Sequence, residues 1–86
     1  MTIESKKYLQ FVEVQTLKKT KEFNIFGQMS SYLGIVKFRP QWRKYVFEPE
    51  PKSVYDASCL IELSNFCNEQ TIKWQKEIKE KNNGLQ

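Results

Sequence analysis

At 86 residues, with 40% hydrophobic and 14% aromatic side chains, the chain suits one domain with a modest core and is too rich in aromatics for a disordered segment. Fourteen basic against ten acidic residues leave a net charge of +4, which favours an acidic partner without demanding one. With no histidine and two cysteines, the sequence lacks the commonest general base and cannot assemble four zinc ligands from Cys and His.

The opening MTIESKKYLQ is polar, without the apolar core of a signal peptide. No stretch approaches 18 consecutive apolar residues, so no membrane-spanning helix is expected. Residues 1–7 and 82–86 read as flexible ends of a single domain, 1–86. The first strand is Tyr8 to Val14, with Leu9, Phe11 and Glu13 on one face and Tyr8, Val12 and Val14 on the other. Leu17 to Lys21 is lysine-rich and reads as a loop. The second strand runs from Phe23 to Met29, with Phe23, Ile25 and Met29 pointing one way. Ser30 to Gly34 reads as a polar turn closing on glycine. The third strand is Ile35 to Arg39 and the fourth Lys44 to Glu48. Pro49 and Pro51 end strand pairing, because proline donates no ladder hydrogen bond.

Near residue 56 the hydrophobic period changes from two to about 3.6. Asp56 or Ser53 can cap a helix there. Leu60, Leu63, Cys67, Trp74 and Ile78 form its stripe, with Thr71 at the missing position and Cys59 and Phe66 widening it. Glu77 and Lys81 make a favourable pair one turn apart, and Asn82-Asn83-Gly84 is a stop. Such a helix, near 24 residues and about 36 Å long, outruns a small sheet. It either breaks near Asn68-Glu69 or overhangs, leaving Trp74 and Ile78 as an interface for a partner or a second copy of the chain. Cys59 and Cys67, about 12 Å apart on one helix, are beyond disulfide reach and read as reduced thiols of an intracellular protein.

The stretch GIVKFRPQWRKYVFEPEP (34–51) alternates like a hairpin. A two-residue loop at Pro40-Gln41 would demand positive φ at proline, whose ring fixes φ near −65°. A four-residue loop, Pro40 to Arg43, puts proline at the first corner of a type I turn. It pairs Arg39 with Lys44, Phe38 with Tyr45, Lys37 with Val46 and Val36 with Phe47. Val36, Phe38, Tyr45 and Phe47 then share one face. Ile35, Lys37, Arg39, Lys44 and Val46 share the other, with Glu48 at its edge. The apolar face should receive the helix. The opposite face should present Lys37, Arg39, Arg43 and Lys44 beside Trp42, a basic-aromatic cluster fit for phosphate contact and base stacking. A bland alternative is a tryptophan folded back over the sheet with a cation on its ring.

Catalysis is not expected. Glu48 and Glu50 flank Pro49 beside Asp56, but a nucleophile, a base and a metal set are missing. No cofactor, metal site or phosphate-binding glycine loop is expected either. Residues 33–66, LGIVKFRPQWRKYVFEPEPKSVYDASCLIELSNF, resemble small phage- and prophage-encoded proteins with a pattern close to LGxIKWYxxWRxYxFxPxPxTVFxxxCLxxIxxF. Leu33, Gly34, Lys37, Trp42, Arg43, Tyr45, Phe47, Pro49, Pro51, Val54, Cys59, Leu60 and Phe66 carry the match, Val36 takes the isoleucine position, and Phe38-Arg39 departs from the Trp-Tyr order. The resemblance implies a mobile-element origin, no catalytic residues, and the cytoplasm of a bacterial host cell.

Together these readings give an α+β domain, three or four antiparallel strands with one face packed against a C-terminal helix. They point to a non-catalytic binding protein that contacts nucleic acid through the hairpin. The alternative is a protein–protein interaction module or an inhibitor of a host defence protein.

Overall fold

The computed structural model describes the backbone of residues 3–5, 8–17 and 20–84, and side chains over 8–14, 20–29 and 31–79. Five strands form one antiparallel sheet in chain order: β1 (Ile3–Ser5), β2 (Gln10–Leu17), β3 (Thr20–Phe26), β4 (Tyr32–Arg39) and β5 (Lys44–Pro49). A single helix, α1 (Ala57–Gly84), packs on one face. The α+β class and the sheet-plus-helix architecture are as the hydrophobic periods imply. Four of the strands are long, and short β1 adds an edge.

Several expected boundaries move. Leu17, Thr20 and Lys21 are strand residues rather than loop: β2 and β3 stay paired out to Leu17 opposite Thr20. Lys18 and Lys19 lie outside the described residues. Lysine is a weak β-former, but a paired neighbour overrides so small a preference. Residues 3–5 pair with β2 rather than forming a free end, and α1 runs through Gly84. The remainder of both expected flexible ends lies outside the described residues, as does the Lys81 side chain.

The second strand stops at Phe26. Gln28–Ser30 makes one turn of 3-10 helix, and Met29, at φ 61°, is 99% exposed rather than aligned with Phe23 and Ile25. Tyr32 and Leu33 belong to β4, not to a turn. A register shift between Ile25 opposite Gly34 and Phe26 opposite Tyr32 makes Leu33 the extra residue of a bulge, and Leu33 is buried. Gly34 is required where it stands. Its φ is 147°, and a Cβ there would collide with the Glu48 carbonyl oxygen and lie 2.9 Å from the Phe47 ring.

The core forms between the inner sheet face and α1. Leu9 and Phe11 of the β2 region, Phe23 and Ile25 of β3, Val36 of β4 and Tyr45 of β5 are buried against Leu63, Phe66 and Trp74. Phe66 is central. Its ring stacks on Phe11 at 3.9 Å and meets Phe23 edge-on at 4.9 Å. Each such pair is worth about 0.5–1.5 kcal/mol beyond the area it buries. Leu60, expected in the stripe, is 53% exposed. The buried seam runs through Leu63, Phe66, Gln70 and Trp74, which rotates the contact line away from Leu60.

Asp56 caps α1. Its carboxylate accepts the Cys59 amide at 2.9 Å, and that bond holds its pKa below the usual value. Ser53 instead donates its hydroxyl to the Glu50 carbonyl at 2.6 Å, inside the turn that precedes the helix. At the far edge of the sheet, the Tyr45 amide donates to the Thr71 hydroxyl at 2.9 Å, and that hydroxyl donates to the Cys67 carbonyl at 2.9 Å. The missing apolar position in the helix stripe is therefore a strand-edge acceptor. It answers a backbone donor that would otherwise invite another strand.

Candidate functional site

The β4–β5 hairpin has the register its sequence dictates: Arg39 opposite Lys44, Phe38 opposite Tyr45, Lys37 opposite Val46 and Val36 opposite Phe47. The Trp42 amide donates to the Arg39 carbonyl at 3.1 Å, closing a turn with Pro40 at its first corner. The Arg43 amide reaches the same carbonyl at 2.9 Å. Arg43 sits at φ 55°, a left-handed conformation that costs a non-glycine residue roughly 1 kcal/mol. That left-handed residue brings the chain back into β5.

The turn sorts the predicted cluster in two. Arg39, Trp42 and Lys44 remain together on the outer side. The Arg39 guanidinium lies 4.6 Å from the Trp42 ring centroid, Trp42 is 58% exposed, and Lys44 is exposed beside them. Arg43 goes the other way, its guanidinium 5.2 Å from the ring of Trp74 on the helix side. Lys37 stays on the outer face, but Glu48 meets it at 3.3 Å. The cluster that is free of acids along the chain is therefore not free of them in space. Glu48 follows Val46 on the same face of β5, one step from the residue that pairs with Lys37. Glu22 of β3, Lys37, Arg39, Gln41 and Glu48 line one pocket of about 230 Å³ just below the tip.

Set beside known proteins, the chain is 32% identical over 71 residues to an uncharacterized 9.3 kDa protein of Acholeplasma phage L2. That alignment covers 80% of this chain and 91% of the relative. The chain belongs to the family of that phage protein. No family model and no solved structure matches it.

In this member of the phage family, the second expected surface is largely closed. The helix is unbroken through Asn68-Glu69, yet Trp74 is only 9% exposed. Its ring packs 4.6 Å from Phe38, and Ile78 is half-buried against the same core. The 28 residues of α1 still outrun the sheet, but the hairpin reaches far enough under the helix to cover Trp74 and Ile78. The eight residues of β4 span about 26 Å, and the bend carries Arg43 up to Trp74. Besides Leu60, α1 exposes Ile61 and Ile72, three turns apart on the side opposite Leu63 and Phe66.

Both cysteines are free thiols on α1. Burial pushes the Cys67 thiol up to about 11 and raises Cys59 as well, so neither is primed as a nucleophile. Among the described residues, no cluster of three or more His, Cys, Asp or Glu is placed to hold a metal, and no helix is long and apolar enough to cross a membrane. Tyr45 has its pKa raised, chiefly by burial, although its hydroxyl oxygen accepts the Lys21 amide at 3.0 Å.

Sequence reasoning did not single out Glu22 or Gln41, and it marked Thr71 only as the gap in the helix stripe, without its partner. Thr71 had a signal, a polar residue in an apolar stripe. Glu22 had none, since its approach to Lys37 depends on how β3 sits beside β4.

Proposed function

We propose that this phage-family protein is a small non-catalytic binding protein whose hairpin tip contacts nucleic acid in the cytoplasm of a bacterial host. The observation that carries this reading is the exposed Trp42 ring, backed by the Arg39 guanidinium and flanked by Lys44 at the end of a stiff hairpin. Two cations within reach of one open aromatic face suit a phosphate backbone with a stacked base. Positive charge gathered at one end costs stability in the free protein, and a bound polyanion offsets that cost.

The test is a titration of labelled DNA and RNA with the full chain at low and moderate salt. Salt-dependent binding that weakens on Arg39→Ala supports the reading. Absence of binding, or binding with no salt slope, ends it.

A second reading is a host-protein inhibitor docking on α1. It is favoured by Ile61 and Ile72, half-exposed on the face turned away from the sheet. A pull-down from nuclease-treated bacterial lysate separates the two, with Ile61→Glu abolishing capture only in the second case.

A further inference from the structure

We infer that the tip takes a short unpaired segment, one stacked base flanked by two phosphates, and that Glu48 sets this limit by holding Lys37; this rests on the nucleic-acid reading above. One face of the Trp42 ring is occupied by the Arg39 guanidinium at 4.6 Å, which leaves a single face for a base. Bases inside a duplex have both faces covered by their neighbours, so only an unpaired base or a strand end can use it.

The charge along the outer face points the same way. The first rung from the tip is Arg39 opposite Lys44, both cationic and exposed. The next rung is Lys37 opposite Val46, and Lys37 is engaged by Glu48 at 3.3 Å. Glu22 lines the same pocket as Lys37 and Glu48. One cation and two carboxylates therefore follow the cationic rung. A phosphate chain that continues down the face meets net negative charge.

The same pair of carboxylates opposes entry of the ribbon into a duplex groove. A two-stranded ribbon can enter the major groove, where phosphates line both walls. Glu22 and Glu48 would then be carried toward those phosphates. Glu48 acts here as a positioning residue. It keeps Lys37 from becoming a third phosphate contact.

The probes are a fluorescein-labelled oligothymidylate and a labelled, covalently closed relaxed duplex circle, which has neither ends nor unpaired bases, compared per nucleotide and titrated with the full chain at several salt concentrations. The single strand should bind at least about tenfold tighter than the duplex, with a log–log salt slope near −1.4 for two phosphates. Trp42→Ala should lose about 5- to 150-fold on the single strand. Glu48→Gln releases Lys37, so the slope should steepen by about 0.7 and low-salt affinity should rise. Glu22→Gln is the second variant, expected to move affinity the same way by a smaller factor. Duplex binding equal to or tighter than single-strand binding overturns the inference and leaves the parent reading standing. An unchanged slope in both Gln variants, with wild-type single-strand binding intact, does the same. No salt-dependent binding of either probe removes both.

Discussion

The two tryptophans carry the same chemical partner and live in opposite environments. Trp42 has Arg39 at 4.6 Å and is 58% exposed; Trp74 has Arg43 at 5.2 Å and is 9% exposed. Arg39 precedes the four-residue bend and Arg43 closes it, yet they serve two faces of the hairpin. The Trp74 side is closed by Phe38 and the core, so its arginine lids a packed ring. The Trp42 side has a cation behind and solvent in front. An arginine–tryptophan contact by itself therefore does not mark a binding site. What marks it is whether the ring's other face has already been filled.

The largest test of that contrast is Trp74→Ala. Removing a buried ring that packs against Phe38 should cost about 3 kcal/mol, read as a lowered urea midpoint with unchanged m-value. Thr71→Val, one turn earlier, should cost about 1–3 kcal/mol, because the Tyr45 amide loses its acceptor at the sheet edge. Stability equal to wild type would mean that the helix does not guard that edge.

A pH titration probes the same closed side. The folded Cys67 thiol titrates at about 11, against an ordinary value of 9.0. Between those two values the unfolded chain ionises while the folded one stays neutral, so folding loses ground as pH rises. Discounted for partial solvent access, the loss should be of order 1 kcal/mol, and Cys67→Ala should flatten that part of the curve. Denaturation midpoints at pH 8 to 11 measure it.

Smallest of all is Trp42→Ala, which should shift stability by no more than about 0.5 kcal/mol while lowering any affinity for oligonucleotide. A destabilisation like that of Trp74→Ala would show the two sites to be alike, and the tip would then be structural.

The hairpin was the most legible part of the chain because its constraints are local. Proline's fixed φ, the alternation of Val36, Phe38, Tyr45 and Phe47, and the loop length leave one register. The helix start was nearly as legible from the change of period, with Asp56 or Ser53 as cap; the structure chose Asp56. The Leu17–Lys21 region and Met29 were misread for the opposite reason. Their conformation depends on which strand lies alongside, and lysine and methionine carry no strong local signal against it. At the site, the cations could be named from the chain, but not their counterions. The register derived from the chain already put Glu48 at the edge of the Lys37 face, but their ion pair is read only from the structure, and Glu22 only from the β3–β4 pairing.

By itself the sequence determined a sheet followed by one helix, the bend at Pro40–Arg43 and the presence of cations around Trp42. These are set by short-range sterics and by the spacing of apolar residues. The tertiary structure alone decided which arginine faces the core, that Lys37 is spoken for by Glu48, and that Trp74 is closed while Trp42 is open. Those outcomes depend on strands and helix meeting across the fold, where a few ångströms separate a paired charge from a free one.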